Sequence, residues 1–340
     1  MSENNKYEYK PLSEPIPITE QVWPEGTMPL VHTRTMTFNH ENYIRECIDG
    51  ILMQKTTFPV QVLIHDDAST DKTAEIIKEY ESKYPHLIKA FYQEENSYSM
   101  PDKHKRREVF MTWRIGKYEA MCEGDDYWTE PLKLQKQVDF LESNPEYGFI
   151  HTNFSTSDGK RVSIDNYPKS DLYLSGFLSG NFSIGTLTVL YRRDLYDSLP
   201  KFYQEKKFKM GDLPLWIEFA SISKIKYIPD ITAMYRVLEN SASHSPNIEN
   251  AIDFRKSSLE VKLFYIEKFE LYELKKQALK SFYSGVVKLS YEKQNKEYAE
   301  KYYNILRRID RPSLKTIIFL YGSKYKIVRY AINLIYKIGK

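Results

Sequence analysis

At 340 residues, with 41% hydrophobic and 28% charged side chains, the chain has the make-up of a globular protein of one large or two medium domains. A net charge of +3 is too small for a whole-protein nucleic-acid footprint, and two cysteines, Cys47 and Cys122, are too few for a disulfide framework. No run of about 18 apolar residues exists and residues 1–21 are polar, so neither a membrane span nor a signal peptide is expected, and the compartment reads as cytoplasmic.

Four regions follow along the chain. Residues 1–28 carry Pro11, Pro15, Pro17 and Pro24 and read as an extended arm. Residues 29–153 alternate short strand-like runs with helical patterns, the signature of α/β layering. Asn42–Gln54 has apolar residues at helical spacing, and Val60–His65 is a buried-strand run. Ser69 is expected to open a helix with Thr73–Tyr80 as its body. Tyr118–Cys122 reads as a strand, and Lys133–Leu141 as an amphipathic helix closed before Asn144-Pro145. Residues 154–250 are mixed and loop-rich, with a helix at Pro214–Ser221 and strands at Lys226–Ile228 and Thr232–Val237. Residues 251–340 are helical nearly throughout.

The most informative stretch is Glu123-Gly124-Asp125-Asp126-Tyr127-Trp128. Three carboxylates within four residues repel one another, so a strand end tolerates them beside water, a cation or a cationic ligand. Hard divalent ions take one or two carboxylates together with nucleotide phosphates. A solvated acidic turn is the alternative. The second acidic strand end, His65-Asp66-Asp67, favours a site. Val31–Met36 is an awkward first strand, because Arg34 inside a sheet requires a carboxylate partner or a route to a ligand.

Four motifs occur in order: Thr37-Phe38-Asn39-His40, Asp66-Asp67-Ala68-Ser69-Thr70-Asp71, the acidic stretch from Glu123, and Gly211-Asp212-Leu213-Pro214-Leu215-Trp216. Together they resemble the family 2 glycosyltransferases of the GT-A fold, over roughly residues 30–245. The resemblance implies a Rossmann-like, mostly parallel sheet flanked by helices, with 29–153 as the nucleotide-sugar half and 154–250 as the acceptor half. It implies transfer of a sugar from a nucleotide diphosphate donor, with inversion, using Mn²⁺ or Mg²⁺. Thr37, Phe38, Asn39, Asp66, Asp67 and Asp125 fall at nucleotide positions, with Asp67 accepting the uracil imide N–H and Phe38 beside the base. Asp125 and Asp126 match the metal motif, and Glu123 replaces its usual first aspartate. Arg106 or Arg107 would cover the donor phosphates, and His244 would complete the metal shell.

Asp212 would be the general base, although a helix N-cap is the plain alternative. Arg236 could neutralise phosphate or form a surface ion pair. Tyr127 and Trp128 read as site wall. The Gln-x-x-Arg-Trp signature of processive synthases is absent, which favours single-sugar addition. A glycan or lipid-linked glycan is the implied acceptor.

From Arg311 onward every charged residue is basic, and Tyr325–Ile338 has apolar residues at helical spacing. That pattern fits a helix lying on anionic lipid, on the catalytic domain or on a homodimer partner. Two rival readings are a sugar-nucleotide nucleotidyltransferase, which should carry a glycine-rich phosphate loop after the first strand, and a catalytically silent binding protein of the same fold.

Overall fold

The computed structural model describes residues 8–97, 100, 108–157, 162–164, 173–180, 184–206, 208–238 and 245–338. In chain order the elements are β1 (Ile16–Pro17), β2 (Val31–Thr37), α1 (Ile44–Leu52), β3 (Lys55–Thr56), β4 (Val60–Asp66), α2 (Thr73–Lys83), β5 (Ile88–Tyr92), α3 (Glu108–Thr112), β6 (Tyr118–Met121) and β7 (Tyr127–Trp128). Then come α4 (Lys133–Ser143), β8 (Tyr147–Ser157), β9 (Val162–Ile164), α5 (Tyr173–Ser179), β10 (Leu190–Arg192), α6 (Arg193–Ser198), α7 (Asp212–Ile222) and β11 (Lys224–Arg236). Helices α8 (Ile248–Lys268), α9 (Lys275–Glu292), α10 (Lys296–Ile309), α11 (Leu314–Lys324) and α12 (Lys326–Ile338) complete the set. The chain forms two compact units, one of Met1–Asp171, Ile184–Pro200 and Ile222–Val237, the other of Leu172–Ser183, Lys201–Ser221 and Leu238–Lys340.

The first unit holds the main sheet, in the order β5-β4-β2-β6-β10-β8-β11-β7, with β9 added on β8. Strands β5, β4, β2 and β6 run parallel, as do β8 and β11, while β10 is antiparallel to both its neighbours. Parallel strands are buried on both faces, which β4 satisfies with Val60, Val62, Leu63 and Ile64. Helix α1 presents Ile44, Cys47, Ile48 and Ile51, spaced as one face, all fully buried in the same core. Each such aliphatic contributes on the order of 1.5–3 kcal/mol. Gly50 lets this helix close on β7, since a Cβ there would lie 2.8 Å from the Trp128 backbone.

Strand β2 has the sequence of no ordinary buried strand, and Glu119 explains why. Glu119, fully buried on β6, sits opposite His32 in the parallel register. Its Oε1 accepts from Arg34 Nε at 2.7 Å and from the Tyr191 hydroxyl of β10; its Oε2 accepts from His32 Nε2 at 2.7 Å and from Arg114 Nε. The Gly116 N–H donates to His32 Nδ1 at 3.1 Å, which leaves the imidazole proton on Nε2. Burial pushes the Glu119 carboxyl up, but Arg114 and Arg34 outweigh it and hold the group well below the ordinary carboxylate range. Arg34 therefore has its carboxylate partner inside the sheet. Removing the shared partner of such a cluster costs about 3–5 kcal/mol.

Other expectations need small corrections. The strands expected at Lys226–Ile228 and Thr232–Val237 are one strand, β11, which ends at Arg236, because a register irregularity between Ile228 and Ile231 carries the chain past Pro229, which lacks an N–H. Ser69 does not cap α2. Its N–H and hydroxyl both bind the Asp66 carboxylate, and Asp71 Oδ1 accepts from Thr73 N–H instead. The proline-bearing arm packs down, with Gln21 Nε2 donating to Thr56 O at 2.7 Å.

The second unit is helical. Buried Glu218 on α7 organises the turn before it, accepting from Lys201 N–H at 2.8 Å, Tyr203 N–H at 3.2 Å and the Tyr265 hydroxyl at 2.5 Å. The tail helix α12 starts after a break at extended Tyr325 and docks Val328 and Ile332 onto Phe319, Leu320 and Tyr291. Its other side leaves Ile327 80% exposed, with Tyr330 and Leu334 also exposed; α11 exposes Leu314, Ile318 and Tyr321.

Candidate functional site

Two carbonyls at the end of β2 organise the site. Met36 C=O accepts from Gly124 N–H and Thr37 C=O from Asp67 N–H, each at 3.0 Å. The acidic turn after β6 and the acidic turn after β4 thus hang from adjacent residues of one strand, at the carboxyl ends of three parallel strands. Ligands of open α/β sheets collect at that edge. The approach is close. A Cβ on Gly124 would lie 2.7 Å from Thr37 Cβ and Oγ1 and 2.9 Å from His40 Nδ1.

The 37–41 and 66–73 turns are laced together by polar side chains. Asn39, with a left-handed φ of 55°, accepts from Thr70 N–H at 2.8 Å and donates its own N–H to Ser69 Oγ at 2.9 Å. Asn tolerates that conformation better than most residues. His40 N–H binds Thr73 Oγ1 at 2.8 Å, and Glu41 N–H binds Asp71 Oδ2 at 3.0 Å. Asn39 and Asp66 therefore shape the turns, and Asp66, its pKa raised by burial, is tied to Ser69. Asp67 is 5% exposed, and its Oδ1 accepts from Ser97 N–H at 3.0 Å and Ser97 Oγ at 2.7 Å. The Asn96 side chain donates to Asp67 O at 3.1 Å, so this one residue anchors the loop after β5. Phe38 is 40% exposed beside it, available to a flat ligand.

Asp126 is 2% exposed, and its Oδ1 accepts the backbone N–H of Arg236 at 2.8 Å. Burial, reinforced by Asp125 and Glu123, pushes its carboxyl up to about 9. The fold has therefore concentrated negative charge that a dication would relieve. Among the described residues no three His, Cys, Asp or Glu side chains gather closely enough to hold an ion by themselves. The donor set fits an ion held by one or two of these carboxylates, with phosphate oxygens and water filling the other positions.

Arg236 does more than the surface pair expected of it. Its Nη1 donates to Asp125 O at 2.6 Å, its guanidinium pairs with Glu46, and it lies 4.4 Å from the Tyr127 ring centroid. It clamps the acidic turn to α1 and the end of β11. Trp128 is core: its Nε1 donates to Leu187 O at 2.8 Å and the residue is 1% exposed.

Sequence reasoning gave no role to five residues that take part. His40 faces Gly124; burial lowers its pKa, against the pull of Asp125, Asp71 and Asp66. Ser97 and Asn96 hold Asp67. Cys47 and Cys122, distant in sequence, place their sulfurs 3.9 Å apart beneath the turn, and Cys47 Sγ donates to Glu123 O at 3.4 Å. Asp212 begins α7 of the second unit, exposed, with Oδ1 accepting from Leu213 N–H at 2.8 Å. Arg106, Arg107 and His244 lie outside the described residues.

The sequence profile described as Glycosyl transferase family 2 matches residues 35–199, which include both acidic turns. Residues 35–199 belong to that family. An uncharacterized Mycobacterium tuberculosis protein is 37% identical over 218 residues, 62% of this chain and 60% of that one. The chain thus spans about 60% of the length of such relatives. A Bacillus subtilis protein, provisionally named as the teichuronic acid biosynthesis glycosyltransferase TuaG, is 29% identical over 63% of this chain and 82% of its own.

Two solved structures share the fold. S. aureus TarS 1-349, in complex with UDP-GlcNAc, has a TM-score of 0.50 at 18% identity, covering 82% of this chain and 90% of that one. The mannosyltransferase PcManGT from Pyrobaculum calidifontis, in complex with GDP-Man and Mn²⁺, has a TM-score of 0.50 at 15% identity, covering 93% and 91%. The family 2 domain has the GT-A fold.

Gly124→Ala should force the two acidic turns apart. The expected loss is about 1–3 kcal/mol of stability in denaturant unfolding, the range for overpacked sites. A variant within ~0.5 kcal/mol of the parent, the range of neutral surface changes, would contradict the close packing.

Proposed function

We propose that this protein is an inverting glycosyltransferase that moves a single sugar from a UDP-sugar to an acceptor hydroxyl in surface glycan biosynthesis. One observation carries the reading: neighbouring carbonyls of β2 hold Asp67 and Gly124, so the acidic turns after β4 and β6 share one sheet edge. The family match over 35–199 and a relative provisionally named for teichuronic acid biosynthesis support it.

In this reading Asp67 accepts the uracil imide N–H while Phe38 flanks the base. Thr37, Asn39 and Asp66 keep the turns around the nucleotide in shape. Asp125 and Asp126, with Glu123 nearby, hold Mn²⁺ or Mg²⁺ against the diphosphate. When bound, that ion neutralises charge on the departing nucleotide. Arg106 or Arg107, and His244, are assigned to the phosphates and the metal shell.

Asp212 accepts the acceptor hydroxyl proton as that oxygen attacks the anomeric carbon. The new C–O bond forms on the face opposite the breaking bond to the diphosphate, which gives inversion. Asp126 stays ionised in the loaded site because the cation offsets the burial that otherwise favours its protonated form.

The acceptor is a glycan, lipid-linked in this reading, and the second unit supplies a reason. Around the exposed Leu314, Ile318, Ile327 and Tyr330 stand exposed Arg311, Lys315 and Lys326, the mix that suits an anionic lipid surface. The protein is then peripheral on the inner face of the membrane.

Calorimetric titration of UDP should show binding with Mn²⁺ that weakens at least tenfold, about 1.4 kcal/mol, in EDTA or in Asp126→Asn. Asp212→Asn should keep metal-supported UDP binding and lose transfer when a nucleotide-sugar panel is screened. Metal-independent UDP binding, or transfer by Asp212→Asn near the parent rate, would refute these assignments. Co-sedimentation with phosphatidylglycerol vesicles should exceed that with phosphatidylcholine vesicles and fall in Ile327→Asp; equal partitioning would remove the membrane role.

A further inference from the structure

A cavity of about 280 Å³ lies in the second unit, where α5, α8 and α9 pack together. Lys262 and Arg255, seven residues apart on one face of α8, both line it, with Ser258 between them. Helix α9 contributes Ser281 and Phe282. Among the described residues no carboxylate lines the cavity. Gly180, at φ +83° after α5, forms one wall: a Cβ there would lie 2.6 Å from Ser281 Oγ and 3.2 Å from Lys262 Nζ. The hydroxyl and the ammonium thus converge over a position that glycine keeps open.

Lys262 is the anomaly. It is partly buried, burial draws its ammonium down to about 8, and among the described residues it has neither a hydrogen bond nor an ion pair. Buried lysines are rare unless paired, and a second cation in the same cavity adds repulsion. Packing alone would favour an apolar side chain at this position. Retaining two cations there makes sense when an anion spends time between them.

We propose that this cavity binds a phosphate group, free or as an ester. A phosphate monoester carries roughly −1.5 to −2 charges at neutral pH, matching two cations, whereas a carboxylate would leave one uncompensated. Lys262 and Arg255 supply the charge, with Arg255 able to grip two oxygens at once. Ser258 supplies a hydroxyl, while that of Ser281 donates to Gly180 O at 3.1 Å and shapes the wall. The volume approaches the lower end of small-molecule pockets, roughly 300 Å³, and Phe282 gives an apolar wall for an organic substituent. Every residue lining it belongs to the second unit, whereas the acidic turns belong to the first.

The test uses the full chain in EDTA, which removes metal-supported binding at the acidic turns. Inorganic phosphate and glycerol 3-phosphate are titrated by calorimetry and thermal unfolding against sodium chloride of equal ionic strength. Saturable binding and a rise in melting temperature are expected for at least one phosphate. Affinity should fall at least tenfold in Lys262→Met and in exposed Arg255→Ala. Unliganded Lys262→Met should melt no lower than the parent, since it removes an unpaired, partly buried cation. Tighter binding of glycerol 3-phosphate assigns an ester, and tighter binding of inorganic phosphate assigns the free anion. A response no greater than that to chloride, or one that persists in both variants, overturns the proposal. Neither outcome bears on Mn²⁺-dependent UDP binding.

Discussion

Glu119 is the charge on which the sheet-bearing unit is built. It lies fully inside the sheet, and four donors from β2, β6's approach and β10 converge on its two oxygens. Burying a lone carboxylate is prohibitive, so Glu119 is stable only when β2, Arg114 and β10 are all in register around it. A slip of one residue between β2 and β6 would leave Arg34 and Glu119 buried apart. The cluster therefore fixes the depth at which β6 ends. That depth places Gly124 under Met36 O and the following carboxylates at the sheet edge.

The acidic turn itself is held by contributions that are individually modest. A missing side chain at Gly124 admits Thr37 and His40, and Arg236 ties the Asp125 carbonyl and the Asp126 carboxylate to α1. Each of those contacts uses up hydrogen-bonding capacity that water would otherwise satisfy. What remains is a buried carboxylate, Asp126, with raised proton affinity and little compensation beside Asp125 and Glu123, a state that suits a bound dication. The strain of like charges is kept local because the scaffold beneath is closely packed, from α1 through Trp128 to β10.

The sheet edge was legible in the sequence because apolar runs ending in carboxylates mark buried strands whose tips face solvent. Val60–Asp66 followed that rule, and Tyr118–Met121 followed it except at Glu119. Strand β2 did not, since its polarity is answered by Glu119, 85 residues beyond Arg34, and no local pattern carries that information. The same reason hid His40, whose neighbour Gly124 is set by register, and Ser97, which meets Asp67 only after β5 has paired with β4. Ser69 was misread because a hydroxyl before a helix can cap it or brace an aspartate, and the side chains of Asp66 and Asp71 decided between them. The two faces of the tail helix were also mixed in the periodic pattern. Val328 and Ile332 pack inward, whereas Ile327 and Leu334, equally apolar, do not.

The central claim is that turns far apart along the polymer make one cation-and-diphosphate site at the end of β2. Its most direct test is anomalous diffraction from crystals grown with Mn²⁺ and UDP. The account predicts a manganese peak within coordination distance, about 2.0–2.6 Å, of an Asp125 or Asp126 carboxylate oxygen and of the diphosphate, with uracil against Asp67. A manganese ion bound elsewhere, or UDP seated away from both turns, would contradict it.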